Sequence, residues 1–334
     1  MRDGFARTIE YLRISVTDRC SLRCRYCMPE TGVPSLSHGD ILTYDEIVRA
    51  AGALTSLGVR KIRLTGGEPL VRKNVSALVA MLAELPERPR LVLTTNGVAL
   101  TEHARELKAA GLSGVNVSLD TLSEHVFERI TRRDGRLLEK ALAGIEAAHV
   151  AGLAVKLNCV PMVGVNEEEL STLVRFAAKR KIPLRFISLM PIGCAAASGL
   201  IGMSADAVRQ QLAAAFGALE ELPNEAEEDG EGDVPTGPAR YFALPDGSRI
   251  GFIDALDHPF CTGCNRVRLT AEGFLKLCLQ ARDGLDVRAL LRGGASNAEL
   301  RAAIAEAIGH KPQEHHFGHA DAAADARYMY QVGG

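Results

Sequence analysis

The sequence predicts an α/β fold, with an incomplete (β/α)6 TIM-type barrel over residues 1–200 and a smaller C-terminal α+β domain over residues 201–334. Between residue 9 and about residue 190, short β-branched apolar runs alternate with segments of helical period, which is typical of βα units around a parallel sheet. The length of 334 residues exceeds one ordinary single-core domain. After residue 200 the alternation ends, and a helix near 204–215 precedes an acidic stretch rich in Gly and Pro, residues 223–238, that predicts an exposed loop.

The apolar runs predict six strands near 9–16, 59–66, 90–96, 114–120, 153–160 and 183–190. Helices fit between them near 43–57, 73–85, 101–110, 137–151 and 167–180. Thr43 followed by Glu46 has the form of a capping box, which marks the start of the first helix. Crossovers of 20 or more residues fit an incomplete barrel and also an open doubly wound sheet. In both architectures the active site lies at the carboxyl ends of the strands.

Charge and hydropathy limit the classes of partner. Lys and Arg total 39 against 41 for Asp and Glu, so the net charge of -2 argues against nucleic acid as a bulk electrostatic partner. The N-terminus has no apolar core of signal-peptide type, and no run of 18 uncharged apolar residues occurs, so we expect a soluble cytoplasmic protein with no membrane partner. In a reducing compartment, cysteines tend to be metal ligands, catalytic groups or core residues. Six of the eight cysteines form two groups of three.

The first group follows the first predicted strand with the spacing CxxxCxxC, as Cys20, Cys24 and Cys27, with Tyr26 before the last cysteine. A cubane iron–sulfur cluster is normally held by four cysteines, so three leave one iron open to a small chelating molecule. A zinc site completed by His38 or another distant ligand is an alternative, as are three unrelated thiols.

This spacing, together with the aromatic residue, resembles the radical S-adenosylmethionine (SAM) superfamily. The resemblance implies that a [4Fe-4S] cluster on Cys20, Cys24 and Cys27 binds SAM at its open iron and cleaves it to methionine and a 5′-deoxyadenosyl radical. The segment LTGGEPL, residues 64–70, resembles the GGEP element that binds the SAM amino group in that superfamily. The implied SAM-binding residues are Tyr26, Gly67, Ser118 and Met190.

The second group is Cys261, Cys264 and Cys278, a CxxC with a later third cysteine. Zinc with the nearby His258 is one interpretation, and a second three-cysteine cluster is the other. Arg266 and Arg268 follow on one face of a predicted strand and form a candidate anion clamp, because guanidinium groups pair with phosphate oxygens. The chain has no GxxxxGK[ST] phosphate loop, so a phosphorylated substrate would need such arginines. Arg13, Lys61 and Arg63 also run toward the same end of the sheet.

A closer resemblance covers residues 4–334. The segments YLRISVTDRC, CRYCMP, KIRLTGGEPL, LTTNG, VNVSLD and GPARY, the specific CTGCNRVRLT and the terminal Gly333 and Gly334 resemble the GTP 3′,8-cyclase family. In that family a second [4Fe-4S] cluster binds the guanine ring, and the C-terminal tail reaches into the active site. The resemblance implies GTP contacts from Arg13, Arg63, Thr94, Lys156, Arg266, Val267 and Arg268.

The resemblance implies the first step of molybdenum cofactor biosynthesis, conversion of GTP to (8S)-3′,8-cyclo-7,8-dihydro-GTP. The implied catalytic residues are Cys20, Cys24, Cys27, Arg266 and Arg268, and the metal ligands are Cys20, Cys24, Cys27, Cys261, Cys264 and Cys278. The implied partners are a low-potential electron donor, a second copy in a homodimer, and the cyclic pyranopterin monophosphate synthase that receives the product.

Two residues depart from the family pattern. Ser21 stands where Asn is usual, and Ser188 replaces a common Glu, which puts in doubt the hydrogen bond that this Glu supplies near the sixth strand. Two other functions stay open. One is a different radical SAM enzyme with an auxiliary cluster, and the other is a zinc-binding regulatory module.

Overall fold

The computed structural model describes residues 1–32, 36–223, 237–317 and 327–333. All six predicted strands of the barrel are present, each within a few residues of its predicted bounds. They are β1 (Tyr11–Ser15), β2 (Lys61–Thr65), β3 (Arg90–Thr95), β4 (Gly114–Ser118), β5 (Ala154–Cys159) and β6 (Leu184–Ile187).

Helices connect these strands in sequence. They are α1 (Tyr44–Ser56), α2 (Val75–Ala83), α3 (Leu100–Ala109), α4 (Glu124–Thr131), α5 (Leu137–Val150) and α6 (Leu170–Lys179). The capping box is confirmed, because Glu46 N donates to Thr43 Oγ1 at 3.2 Å and Thr43 N donates to Glu46 Oε2 at 2.7 Å. Helix α4 was not predicted. Its eight residues include Val, Ile and Thr and are too few for a clear period, although Phe127 and Ile130 are buried against the barrel.

The C-terminal part of the chain supplies the remaining elements. The helices are α7 (Cys194–Ala197), α8 (Ala205–Phe216), α9 (Val287–Arg292) and α10 (Asn297–Gly309). The strands are β7 (Glu220–Glu221), β8 (Arg240–Ala243), β9 (Arg249–Ile253), β10 (Arg266–Leu269), β11 (Phe274–Lys276) and β12 (Gly284–Asp286). Most of the predicted exposed loop, residues 224–236, lies outside the described residues. None of the helices in the described ranges has the length and apolarity needed to span a bilayer.

The C-terminal strands extend the barrel sheet at both of its edges. The twelve described strands form one sheet in the order β12-β11-β10-β1-β2-β3-β4-β5-β6-β9-β8-β7. Strand β10 pairs in parallel with β1, and β9 pairs in parallel with β6. Strands β9 and β10 are consecutive in the chain, so the segment from Asp254 to Asn265 runs from one edge of the open barrel to the other. This segment carries Cys261 and Cys264.

The two faces of the sheet differ in polarity. One face is packed under the helices and is apolar, as the fully buried Leu12, Ile14, Ile62, Leu64, Leu93, Val117 and Leu157 illustrate. The alternate residues of the same strands carry cations and amides on the concave face: Arg13, Lys61, Arg63, Asn116, Asn158 and Arg185. Because side chains alternate along a strand, the apolar pattern that builds the core also places a polar lining inside the barrel.

Candidate active site

The polar face of the sheet borders a cavity of ≈ 270 Å³. Residues from β1 to β6 line it together with residues from the C-terminal part of the chain. Among them are Tyr26, Ser118 and Met190, all three cysteines of the second group, and Arg13, Arg63, Thr94, Arg266 and Arg268. The structure therefore brings most of the predicted SAM and GTP residues to one cavity.

Strand register concentrates positive charge at this cavity. Arg13 on β1 is the register partner of Arg63 on β2 and of Arg268 on β10. Two residues earlier, Tyr11 stands between Lys61 and Arg266 in the same way. Burial, followed by the charge of Arg268, holds the pKa of Arg13 well below its ordinary value. Burial and the nearby Arg266 likewise lower the pKa of Arg268 to about 10. Such a cluster of mutually repelling cations is suited to a polyanionic ligand.

Tyr11 lies within this cluster of cations. Its hydroxyl accepts a hydrogen bond from Arg63 Nε, and Lys61 Nζ lies 5.4 Å from the ring centroid. Arg63 Nη1 donates to Thr94 Oγ1 at 3.1 Å and, with the Asn116 amide assigned so that its oxygen faces the guanidinium, to Asn116 at 2.9 Å. These contacts hold Arg63 toward the cavity.

We expect Tyr11 to ionise near neutral pH. Burial alone would raise its pKa, but the charges of Arg63, Arg13 and Lys61 lower it to about 7. Ultraviolet difference titration of the protein should then show one tyrosinate forming near pH 7, and Tyr11→Phe should remove that step. Because the pKa in the folded state is below that of the unfolded chain, the ionised phenol stabilises the fold progressively between pH 7 and 10, and this stabilisation is lost as the pH falls through 7. A wild-type titration with no step below pH 9 would contradict this assignment.

The first cysteine group lies on the loop after β1. Cys20, Cys24 and Cys27 are half-buried free thiols. Burial raises the pKa of Cys24 well above its ordinary value, and the neighbouring Cys20 and Cys27 thiols raise it further. Leu22 N donates to Cys20 Sγ at 3.4 Å, and Asn96 Nδ2 lies 3.9 Å from the same sulfur. Hydrogen bonds of this kind tune the potential of an iron–sulfur cluster.

Gly66 and Gly67 place the cysteine loop. A Cβ on Gly67 would stand 2.4 Å from Arg19 O and 2.8 Å from Asp18 O. A Cβ on Gly66, whose φ is +152°, would stand 2.5 Å from Thr17 O. Gly67 N donates to Thr17 O at 2.7 Å, and Glu68 N donates to Arg19 O at 2.8 Å. The glycine pair therefore allows a close approach to the cysteine loop, and Gly67 itself does not line the cavity.

Gly67→Ala is expected to displace the loop. The added methyl would overlap two backbone carbonyls, which cannot move without breaking the hydrogen bonds that fix the loop. We expect loss of about half or more of the iron bound after anaerobic reconstitution, measured by metal analysis. Gly164→Ala is the matched control, because no atom stands within 4 Å of its Cβ position, although its φ of +66° makes it mildly destabilising. Full iron content in Gly67→Ala would show that the loop adapts.

Two carboxylates flank this loop, the buried Glu68 and the half-buried Asp120. Glu68 accepts from Leu70 N at 3.1 Å, Thr95 Oγ1 at 2.7 Å and Asn96 N at 2.7 Å, and burial raises its pKa to about 7. Asp120 accepts from the Tyr26 hydroxyl at 2.7 Å and from Val160 N at 2.8 Å. Burial raises the pKa of Asp120 to about 6, although the Tyr26 hydrogen bond lowers it.

The second cysteine group faces the cavity from its other side. Burial alone would raise the pKa of Cys264, but the charges of Lys311 and Arg266 lower it below its ordinary value, which favours a thiolate. Lys311 is 2% exposed, and its Nζ donates to Arg266 O at 3.0 Å and to Leu277 O. Arg7 Nη1 donates to Cys261 O at 2.8 Å, which ties the N-terminus to this group.

The histidines of the zinc interpretations are elsewhere. His258 borders a different pocket, with Asp254 and Arg240, and His38 is exposed. Within the described ranges, no three His, Cys, Asp or Glu side chains are arranged to hold a single metal ion. In a cubane cluster each cysteine binds a different iron, so its thiolates stand further apart than the ligands of one ion. The two sets of three thiols fit this donor set. His315 lies beside Cys261 in the cavity lining, but its Nε2 is hydrogen-bonded with Ala255 O at 2.8 Å.

The C-terminal tail ends at the arginine cluster. Val332 is 1% exposed, and its carbonyl oxygen accepts from Arg268 Nη1 at 3.2 Å. The Gly333 carbonyl accepts from the same nitrogen at 2.6 Å and from Arg13 Nε at 3.2 Å. Gly333 has a φ of +75°, and a Cβ there would stand 2.4 Å from Thr65 Oγ1. Glycine is therefore required at this position by both backbone and space. Gly334 lies outside the described residues.

The two departures from the family pattern are both accommodated. Ser21 Oγ accepts from Asn96 Nδ2 at 3.1 Å, and Ser21 O accepts from Arg133 Nε at 3.3 Å. Ser188 Oγ donates to Asp254 Oδ1 at 2.9 Å, and both residues are buried. Asp254, which follows β9, thus supplies a carboxylate beside position 188, where the family commonly has Glu.

Two predicted GTP residues do not reach the cavity. The side chain of Val267 is 1% exposed and packs in the core, on the face opposite Arg266 and Arg268. Lys156 is the register partner of Asn116 but does not line the cavity. The prediction missed Tyr11, Asp120, Asn116, Asn158 and Arg185. Tyr11 and Asn116 lie two residues along the strand from Arg13 and Ser118, and Asn158 is the register partner of Ser118, so alternation was the usable signal for these three. Asp120 lies beyond the end of β4, and Arg185 pairs in register with Asn158 and Gly251, which the prediction had not found either.

Comparison with known proteins agrees with this geometry. Residues 14–177 match the model of the radical SAM superfamily, and residues 182–317 match that of Molybdenum Cofactor Synthesis C. The chain is 45% identical over 336 residues to a GTP 3′,8-cyclase of Moorella thermoacetica, with all of both chains covered. A GTP 3′,8-cyclase of Rhodopseudomonas palustris is 45% identical, with 95% of this chain and 90% of the relative covered.

A solved structure shares the fold at low sequence identity. SuiB of Streptococcus suis, bound to the precursor peptide SuiA, superimposes with a TM-score of 0.62 at 12% identity over 98% of this chain and 71% of SuiB. SuiB bound to S-adenosylmethionine gives 0.59 at 13% identity, over 88% and 67%. The full-length identity to curated relatives and the two matched models show that this chain belongs to the GTP 3′,8-cyclase family of the radical SAM superfamily.

Proposed function

We propose that the protein converts GTP to (8S)-3′,8-cyclo-7,8-dihydro-GTP, joining C3′ of the ribose to C8 of guanine as the first step of molybdenum cofactor biosynthesis. The observation that carries the proposal is the single cavity shared by Tyr26, Ser118 and Met190, the second cysteine group, and the clustered arginines. Family membership supports the same reaction.

Two [4Fe-4S] clusters and SAM are the cofactors. Cys20, Cys24 and Cys27 would hold the first cluster, and Cys261, Cys264 and Cys278 the second. When bound, the first cluster supplies the electron that cleaves SAM to methionine and the 5′-deoxyadenosyl radical that removes hydrogen from C3′. Tyr26, Ser118 and Met190 line the SAM side of the cavity, while Gly67 acts there by fixing the cysteine loop.

The chain's own residues bind and orient the substrate. Arg13, Arg63 and Arg268 form a row from three adjacent strands that would clamp the triphosphate, with Thr94 holding Arg63 in place. Arg266 lies 4.7 Å over the Phe260 ring, beside the second cysteine group, where the guanine would bind. We place Val267 in the site through its main chain only, and Lys156 beside Asn116 on the adjacent strand. Positioning matters most here, because the cofactors carry the difficult chemistry.

The remaining partners follow from the reaction. A low-potential donor must supply electrons, because the cluster needs a reduction potential at the low end of the range of iron–sulfur clusters to cleave a sulfonium. We further propose a cytoplasmic location, a homodimer, and a downstream cyclic pyranopterin monophosphate synthase that takes the product. All eight cysteines lie in the described ranges as free thiols, which suits a reducing compartment.

The test is an anaerobic assay with GTP, SAM and dithionite. We expect 5′-deoxyadenosine together with a cyclised GTP product, identified by mass spectrometry. 5′-Deoxyadenosine formed equally with and without GTP, and no cyclised GTP product, would favour another radical SAM enzyme with an auxiliary cluster.

Metal content is a second and independent check. After anaerobic reconstitution we expect about eight irons per chain and no zinc, because each group of three cysteines supports one four-iron cluster. About four irons and one zinc per chain would indicate that the second cysteine group is a structural zinc site. Two zincs per chain would contradict the proposed function.

A further inference from the structure

The surface outside the first cysteine group is strongly basic. Residues 19–30 and 128–136 together contain seven arginines and three carboxylates, a local charge of +4 in a chain whose net charge is -2. We define the basic face as the arginines of these two segments that lie around the cysteine loop: Arg19, Arg23, Arg25, Arg129, Arg132 and Arg133.

Backbone contacts hold the two segments side by side. Arg23 N donates to Thr131 O and Arg25 N donates to Ile130 O, each at 2.9 Å. These two arginines flank Cys24, so the two hydrogen bonds fix the middle cysteine of the group against the end of α4. From the other segment, Arg132 Nη1 donates to Met28 O at 3.1 Å, and Arg133 Nε donates to Ser21 O. The basic face is therefore built on the cysteine loop itself.

Part of this charge is available to a partner. Arg19, Arg129 and Arg133 are exposed, and Arg25 is half-buried. Within the described ranges, the guanidinium groups of Arg19 and Arg25 have no hydrogen bond or ion pair. Glu30 pairs with Arg132 at 4.0 Å, and Asp134 pairs with Arg136, so these carboxylates are already engaged.

We propose that the basic face is the docking site of an acidic one-electron carrier protein. This inference rests on the proposed function, in which the first cysteine group receives electrons. Tyr26 of this loop lines the cavity, whereas none of the six arginines does, so the basic face lies outside the cavity and offers an electron a separate route to the cysteine loop. In the transfer the carrier is oxidised by one electron, the iron–sulfur group is reduced by one, and no bond forms or breaks. Complementary charge raises the rate of encounter and fixes the orientation of the carrier over the loop.

The proposal is tested by binding, with an acidic flavodoxin as the probe. Oxidised flavodoxin is titrated into the anaerobically reconstituted protein by calorimetry, first in low salt and then in 0.5 M NaCl. We expect saturable binding that weakens by at least about tenfold in high salt, because charges at a protein surface are screened over about 10 Å at 0.1 M salt. Arg19→Glu with Arg25→Glu should weaken it by at least about tenfold in low salt, and the Gln pair should have an intermediate effect.

The matched control reverses two charges on the outer helices, Arg105→Glu with Lys140→Glu, and should bind flavodoxin like the wild type. Dithionite needs no docking, so the Arg19 and Arg25 variants should keep wild-type 5′-deoxyadenosine formation with dithionite and lose it with reduced flavodoxin. Unchanged flavodoxin binding in these variants, or an equal loss in the control, would overturn the docking site. Loss of dithionite-driven turnover in the wild type would instead overturn the proposed function.

Discussion

Cys24→Ser is expected to abolish 5′-deoxyadenosine formation, whereas Cys278→Ser should retain uncoupled SAM cleavage and lose the cyclised product. Cys24 is the half-buried middle residue of the first group, and the Cys20 and Cys27 thiols are close enough to raise its pKa. Cys278 lines the cavity with Arg266 and Arg268, far along the chain from the loop that would bind SAM. The two substitutions thus separate radical formation from substrate handling. Liquid chromatography of anaerobic reactions measures both products.

A matched control is available in Cys194→Ser. Cys194 is a half-buried cysteine on α7 that lies near Cys27 but follows neither cysteine spacing. Its replacement by serine, which is of similar size, should leave both products within about twofold of wild type. If Cys278→Ser instead failed to fold, as judged by circular dichroism, the second group would be structural. If it retained cyclisation, the second group would have no role in the reaction.

Arg268→Ala should weaken GTP binding by about tenfold to a hundredfold. A hydrogen bond to a charged group contributes about 1.5–3 kcal/mol, and Arg268 belongs to a row of three arginines at one level of the sheet. The loss should be measured by anaerobic equilibrium titration with GTP. Arg249→Ala, on the exposed end of β9, is the matched control and should bind like the wild type.

In the absence of GTP, Arg268→Ala should leave the thermal stability of the protein unchanged or increase it. Burial and repulsion by Arg266 already lower the pKa of Arg268, so removing this cation relieves part of the repulsion. We expect the Tm of the ligand-free variant to stay equal to or rise above that of the wild type, while the increase in Tm caused by a given GTP concentration becomes smaller. If the Tm fell equally with and without GTP, the main role of Arg268 would be to stabilise the fold, through its hydrogen bonds to the carbonyls of Val332 and Gly333.

Periodicity predicted the parallel strands because each is a short buried run bounded by glycines or turn residues. It could not predict that β10 pairs with β1, since pairing depends on contacts between residues more than 250 positions apart. For the same reason the sequence divided the chain near residue 200, whereas the later strands complete the barrel sheet at both edges. The boundary at 200 itself stays a prediction.

The site could be predicted where the spacing of residues along the chain identifies metal ligands or one face of a strand. It could not be predicted where a side chain's environment depends on residues distant in sequence. The cysteine spacings identified both thiol groups, and alternation placed Arg266 and Arg268 on one face. Alternation also excludes the side chain of Val267 from that face, and the structure places it in the core. The contact between Ser188 and Asp254 joins residues 66 positions apart, so the sequence gives no sign that the departure at position 188 is accommodated.

The pairing of β9 and β10 with the two barrel edges has a consequence for synthesis of the chain. Until residues 249–269 leave the ribosome, β1 and β6 are unpaired edge strands that can pair with other chains. Contacts of such long range also close slowly, because the loop entropy must be lost first. A nascent chain is therefore exposed to aggregation for most of its translation, because both edges of the six-stranded sheet stay unpaired until β9 and β10 have been made. Cluster insertion before that point would meet a sheet that lacks its outer strands.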